Sequence, residues 1–182
     1  SQSTIASKIS FTGVGIHTGK RVNINLLPSA PNTGIIFKRI DLEHNNIIVP
    51  NFNNVTEATL CTTVSNQFGV KVSTIEHLMA AFFGLGVDNA IVELDGQEVP
   101  ILDGSAKDFV KILKETGLKT SDVPIKLIKI NKHIEIAEGN KYISLNKSNT
   151  TLEIEFEINY KNQIIKRQNN KVNVFEDNLE NI

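Results

Sequence analysis

The stretch STIEHLMAAFFGLGVDNAIVELDGQEVPILDGSA, residues 73–106, contains a helix, a buried strand and the start of a second helix. Its first part predicts a helix from about Thr74 to Phe83, because apolar residues recur at helical spacing. The segment NAIVELDG, residues 89–96, predicts a buried strand that ends in a glycine turn. A second helix is predicted from about Ala106 to Glu115, opened by a turn in which Ser105 serves as the N-cap.

The segments before this stretch have the alternating pattern of half-buried strands. Strands are predicted at TIASKISF (residues 4–11), RVNINLL (21–27), TGIIFKRI (33–40) and LCTTVSN (60–66). The Asn-rich segment 41–58 is predicted to be irregular. Strands combined with two helices on one face of a sheet predict an α+β layer architecture.

The second part of the chain is separated from the first by the polar segment GLKTSDVP, residues 117–124, which we predict to be a linker. Two domains are therefore expected, residues 1–119 and an incomplete, strand-rich 120–182. The predicted strands there are IKLIKIN (125–131), KYISLN (141–146), TLEIEFEINY (151–160) and QIIKRQ (163–168), with at most one helical start after Val174.

The two parts share a plan in which glycine, strand, polar turn and strand follow one another. One copy begins at Gly19 and the other at Gly139. This pattern indicates an internal repeat of one supersecondary unit. The second copy lacks the helices that would cover its sheet, so we expect the chain to be the front part of a longer protein.

Composition excludes several classes of function. The chain has 182 residues and a formal net charge of −1, so no basic face for a nucleic-acid partner is expected. The ten-residue apolar run LMAAFFGLGV is too short to span a membrane. The N-terminal residues lack the apolar core of a secretory signal. A single cysteine, Cys61, is typical of a reducing compartment, and we predict a cytoplasmic location.

Glu76 and His77 are adjacent at the predicted start of the first helix, and two interpretations are open. Ser73 and Glu76 form an S-x-x-E pattern, which predicts a capping box in which the glutamate bonds the N-cap amide. Alternatively, His77 is one ligand of a catalytic zinc and Glu76 takes a proton from the attacking water. The helical zinc motif with two histidines is absent, because the i+4 position is Ala81.

Two other segments contain candidate site residues. TGVGIHTGKR, residues 12–21, resembles a phosphate loop, but its glycine spacing fits no phosphate-binding motif. The alternatives are a glycine-rich turn between strands and a loop in which His17 serves the site. Asp103 could orient a histidine, although a cap and turn account for it equally well.

The motifs GVGIHTGK, LCTTV and residues 73–106 closely resemble the zinc-dependent UDP-3-O-acyl-N-acetylglucosamine deacetylases of lipid A biosynthesis in Gram-negative bacteria. The resemblance is strong from about Ser10 to Val110 and traceable to about Tyr160. It implies two similar domains with the active site between them, and a parent protein that hydrolyses the acetamide of the nucleotide sugar. It also implies a monomer without a transmembrane segment.

The resemblance assigns roles to residues only where the motifs match. His77 matches a zinc ligand, and Glu76 matches the catalytic general base. Thr59, Leu60 and Cys61 match a loop that lines the site, whereas Lys141 and Tyr160 match positions on the nucleotide side of the substrate pocket. His17 and Asp103 match motif positions that are not metal ligands.

The remaining zinc ligands of these deacetylases match nothing before Ile182, and neither His44 nor His133 fits their motif. We therefore expect residues 1–182 to be inactive alone, with the other ligands of Zn²⁺ beyond Ile182. The alternative is a non-catalytic binding or scaffold module of the same fold.

Overall fold

The structure is a computed structural model that describes residues 1–148 and 152–174. It divides into two compact units, Ser1–Ile125 and Lys126–Ile182, which are described separately. The elements of the first unit are β1 Ser3–Ile5, β2 Ile9–Val14, β3 Arg21–Pro28, β4 Ile35–Arg39, β5 Ile47–Ile48, a 3₁₀ turn Phe52–Asn54, β6 Val55–Glu57, β7 Thr63–Ser65, β8 Lys71–Val72, α1 Glu76–Leu85, β9 Ala90–Leu94, α2 Lys107–Thr116 and β10 Leu118–Thr120.

A five-stranded sheet with the order β2-β3-β9-β4-β5 forms the frame of the first unit. Neighbouring strands are antiparallel except β4 and β9, which are parallel. Side chains alternate across β3, so that Val22, Ile24 and Leu26 are buried on one face. Asn23 and Asn25 lie on the other face, where their side chains bond those of neighbouring strands.

Both helices of the first unit pack on the apolar face of this sheet. Leu78, Ala81 and Phe82 of α1, together with Phe109, Val110 and Leu113 of α2, belong to one hydrophobic core with the sheet. The rings of Phe11 and Phe109 pack edge to face with centroids 5.9 Å apart, which joins β2 to α2. The α+β prediction is thereby confirmed.

Two smaller sheets complete the first unit. β6, β7 and β8 form a three-stranded antiparallel sheet next to α1 in the chain. β1 pairs with β10, which joins the start of the unit to its last strand. The prediction of a linker at residues 117–124 was therefore wrong for its first part, and the compact unit ends after Ile125 rather than after residue 119.

Several predicted boundaries differ from the structure. The strand predicted at residues 4–11 is interrupted by a bend at residues 6–8, and the Asn-rich segment contains β5 and β6. α1 begins at Glu76 rather than Thr74, because Thr74 has a φ of 56° and lies outside the right-handed helical region. α2 begins at Lys107 rather than Ala106.

The second unit contains two antiparallel hairpins in its described residues. β11 Ile134–Glu138 pairs with β12 Lys141–Leu145, and β13 Glu153–Asn159 pairs with β14 Arg167–Asn173. The strand predicted at 125–131 was wrong, β11 was not predicted, and most of 163–168 is a turn before β14. The helical start predicted after Val174 lies outside the described residues.

Candidate functional site at the start of helix α1

Glu76 and His77 are the first two residues of α1, and both are half-buried. The capping box predicted from Ser73 does not form. The Ser73 amide donates to the Gln97 carbonyl oxygen at 2.9 Å, and the N-cap position is Ile75, which has no side-chain cap. The Glu76 carboxylate therefore does not serve its own helix end.

The Glu76 carboxylate instead holds the segment that contains the predicted site loop. Its Oε2 accepts the backbone amide of Thr62 at 3.0 Å. The Ile75 amide also donates to the Thr62 carbonyl oxygen at 3.4 Å. The structure thus brings Thr62, which directly follows the predicted loop residues Thr59, Leu60 and Cys61, to the start of α1.

The three residues of that loop differ in exposure. Leu60 is 88% exposed and has a φ of 63°, an uncommon backbone conformation for a branched residue. Thr59 is exposed, whereas Cys61 is half-buried with its Sγ 3.7 Å from Thr63 Oγ1.

Glu98 is a buried residue of the site that the sequence reasoning did not identify. Its side chain is 0% exposed, and it lies after β9 and before α2. Oε1 accepts the His17 amide at 2.9 Å, and Oε2 accepts the Thr18 amide at 2.8 Å. Oε1 also accepts the Thr74 hydroxyl at 3.1 Å. A signal was present in the sequence, because GQEVPI places one acidic residue at the edge of an apolar run.

The charge state of Glu98 follows from these contacts. Burial by itself raises the pKa of this carboxyl group, but the donors from His17, Thr18 and Thr74 outweigh burial and hold the pKa below its usual value. Glu98 is therefore an internal anion at neutral pH. The His17 and Thr18 amides, which belong to the glycine-rich loop at residues 12–21, are directed at this carboxylate as in an anion-binding backbone nest.

Gly15 and Thr74 are shaped to fit the Glu98 carboxylate. A Cβ at Gly15 would overlap the carboxylate and the Thr18 hydroxyl, so only glycine fits there. Thr74 is 2% exposed and keeps a left-handed φ of 56°, which is strained for a β-branched residue. Its bond to Glu98 helps to stabilise that conformation.

The structure gives His17 and Asp103 different surroundings. The His17 side chain is exposed, while its backbone amide binds Glu98. Asp103 accepts the Ser105 amide at 2.9 Å, and Ser105 Oγ accepts the Lys107 amide at 3.1 Å. The Ser105 amide also lowers the pKa of Asp103. These bonds form the predicted turn before α2, but the N-cap of α2 is Ala106, so the prediction of Ser105 as the N-cap was wrong. Among the described residues, no histidine bonds Asp103.

Lys141 and Tyr160 belong to the second unit. Lys141 is the first residue of β12 and is exposed. Tyr160 is 57% exposed, and its amide donates to the Lys166 carbonyl oxygen at 3.0 Å. Both side chains are accessible to a ligand.

Metal-binding groups do not cluster within residues 1–148 and 152–174. No three histidine, cysteine, aspartate or glutamate side chains there lie close enough to hold a metal ion. His44 is exposed, and His133 bonds Asn146 through Nδ1 at 2.7 Å. The His77 side chain makes no hydrogen bond to any described residue. In the same ranges, no helix has the length and apolarity needed to cross a bilayer.

The comparison with known proteins decides the family. The family model LpxC, described as UDP-3-O-acyl N-acetylglycosamine deacetylase, matches residues 2–181. The chain belongs to the LpxC family. Proteins named UDP-3-O-acyl-N-acetylglucosamine deacetylase resemble this member closely. The one from Shewanella violacea is 40% identical over 91% of this chain and 54% of its own length.

Two further relatives of this LpxC family member carry the same name. The protein from Photobacterium profundum is 42% identical over 79% of this chain and 47% of its own length. The protein from Actinobacillus pleuropneumoniae serotype 3 is 37% identical over 91% of this chain and 54% of its own length. The chain thus spans about half the length of the curated relatives it matches.

Proposed function

We propose that the whole protein hydrolyses the acetamide of a UDP-3-O-acyl-N-acetylglucosamine in a zinc-dependent reaction of lipid A biosynthesis. One observation carries this proposal. Glu76 is not a helix cap; it directly precedes His77 at the start of α1, and its carboxylate accepts the Thr62 amide. A carboxylate next to a potential metal ligand suits proton transfer from a water molecule.

The donor set fits zinc only in part. His77 supplies an imidazole that makes no internal bond among the described residues, but no second and third ligand lie near it there. We therefore place the other ligands outside the described residues. When bound, zinc would polarise the amide carbonyl and lower the pKa of a water molecule.

The residues of this chain would divide the remaining work. Glu76 would take the proton of the attacking water. Within the described residues its Oε2 accepts the Thr62 amide, whereas its Oε1 has no partner and is left to accept the proton. Thr59, Leu60 and Cys61 would line the substrate beside it. Lys141 and Tyr160 would contact the nucleotide side of the substrate. A UDP-sugar substrate and the family also favour a cytoplasmic, monomeric protein.

The test is the release of acetate from UDP-3-O-acyl-N-acetylglucosamine by the full-length protein, metal-stripped and then reloaded with zinc. Glu76→Gln should reduce kcat by about 10²–10⁴-fold, the range for loss of a general base. Glu93→Gln is a matched control, because Glu93 pairs with Lys38 on the polar face of the sheet. Turnover by the zinc-loaded Glu76→Gln protein at the wild-type rate would contradict the assignment of the base. No turnover by the zinc-loaded wild-type protein would favour the scaffold interpretation.

A further inference from the structure

We propose that Glu98 is a positioning residue for this site. The Glu98 cluster consists of Glu98, His17, Thr18 and Thr74. In this cluster the Glu98 carboxylate fixes both the loop that contains His17 and Thr74, which lies two positions before Glu76. The kinetic test of this proposal rests on the proposed function, whereas its hydrogen-exchange test is independent of that function.

The contacts of the cluster join segments that are distant in the chain. The amides of His17 and Thr18 lie more than seventy residues before Glu98, and Thr74 lies 24 residues before it. Ser73 and Glu98 also form a parallel backbone bridge, in which the Ser73 amide donates to the Gln97 carbonyl oxygen and the Val99 amide donates to the Ser73 carbonyl oxygen. Three segments therefore meet at one buried charge.

The position of Thr74 transmits this arrangement to α1. Only Ile75 separates Thr74 from Glu76, and the left-handed φ of Thr74 sets the direction in which the chain enters the helix. A strained conformation persists only where its surroundings hold it. The hydroxyl bond to Glu98 is such a restraint, so loss of Glu98 should let Glu76 and His77 shift.

A purely structural role for Glu98 would predict a different outcome. A buried charge needs its donors, and removing it could simply lower the stability of the unit. Positioning instead predicts that catalysis suffers in protein that remains folded, and that a carboxylate returned to the cavity restores it. Acetate has the atoms that Glu98→Ala removes, and two backbone amides directed into the cavity would bind it.

The kinetic experiment compares full-length wild type, Glu98→Ala and the control Glu93→Gln. We expect Glu98→Ala to lower kcat by about 10–100-fold, as loss of a ligand-orienting partner does, with little change in KM. Sodium acetate should partly restore kcat, whereas pivalate, which is too bulky for the cavity, should not. Because acetate is also a product of the reaction, turnover in this experiment is followed through the free amine of the deacetylated product. Unchanged kcat in Glu98→Ala, or equal responses to acetate and pivalate, would overturn the proposal.

A second measurement is independent of activity and of the folding of Glu98→Ala. Amide hydrogen exchange is compared between wild type and Glu98→Gln, whose amide side chain offers one oxygen instead of two. Faster exchange is expected at His17 or Thr18 and in the first turn of α1. Unchanged exchange in these segments would overturn the proposal. An inactive wild type with this exchange pattern would refute the proposed function and leave the positioning role standing.

Discussion

The Glu76 carboxylate and the Thr62 backbone amide are joined by a hydrogen bond of 3.0 Å that spans 14 residues of sequence. This bond ties the start of α1 to the loop that precedes β7. The residue proposed as the general base is therefore also a structural acceptor. Its two oxygens are not equivalent, because only Oε2 has a partner in the described part of the chain.

Substitution of Glu76 should separate its structural role from its chemical role. Glu76→Gln retains an oxygen for the Thr62 amide and should keep the free energy of unfolding close to that of wild type. Glu76→Ala leaves that amide without its acceptor and should cost about 1–2 kcal/mol. Urea unfolding of both variants measures the difference. Equal stability of the two variants would show that the Thr62 bond contributes nothing.

The hydroxyl group of Thr74, rather than the shape of its side chain, should contribute to the stability of the first unit. Thr74→Val keeps the volume and removes the donor to buried Glu98, so the free energy of unfolding should fall by about 1.5–3 kcal/mol, the range for bonds to charged groups. Thr74→Ser keeps the donor and serves as the control. Chemical denaturation checks this order, and a Val variant as stable as the Ser variant would contradict it.

The free energy of unfolding of the first unit should decrease at acid pH, because Glu98 becomes protonated. Its pKa in the folded protein is lowered from about 4.5, so the unfolded chain binds the proton more tightly. The stabilisation is complete above the unfolded pKa and is lost as pH falls through the folded pKa. The free-energy difference between wild type and Glu98→Gln should therefore be constant from pH 7 to about pH 5 and shrink at lower pH. Urea unfolding across this range measures it, and a difference independent of pH would show that folding does not lower the pKa of Glu98.

Two glycines of the same loop should respond differently to alanine. Gly15→Ala places a methyl group against the Glu98 carboxylate, so we expect a loss of about 2–3 kcal/mol from crowding. Gly19→Ala meets open space at a φ of +64° and should cost only about 1 kcal/mol of backbone strain. Thermal unfolding compares the two variants. A greater loss for Gly19→Ala would show that the loop can move away from Glu98.

Zinc binding by residues 1–182 should be weak. The described residues offer no group of three ligands, and a catalytic zinc site takes three from the protein. The measurement is zinc stoichiometry after metal stripping and reloading, with the full-length protein as the control at about one zinc per chain. Tight binding of about one zinc by residues 1–182 would require His17, His44, His133 and Cys61 to be re-examined as ligands.

Local sequence patterns predicted the elements whose stability is local. The alternation in β3 and the helical spacing around Leu78 are periodicities that burial on one face imposes, so they are visible in the chain itself. Strand boundaries were less predictable, because β10 exists only through its pairing with β1. The second unit shows the same limit, since the apolar segment 125–131 finds no strand partner among the described residues.

The candidate site divides in the same way. Sequence alone determined the residue types and their order, including the adjacent Glu76 and His77, the loop at residues 59–61 and the glycines of residues 12–21. Only the tertiary structure decided what each group contacts. It assigned the Glu76 carboxylate to Thr62 rather than to Ser73, and it directed the amides of His17 and Thr18 at Glu98. The reason is that hydrogen-bond donors from distant segments, such as the Thr62 amide, compete with the local Ser73 amide for the Glu76 carboxylate. A buried charge such as that of Glu98 also needs donors, and only the complete fold brings them to it.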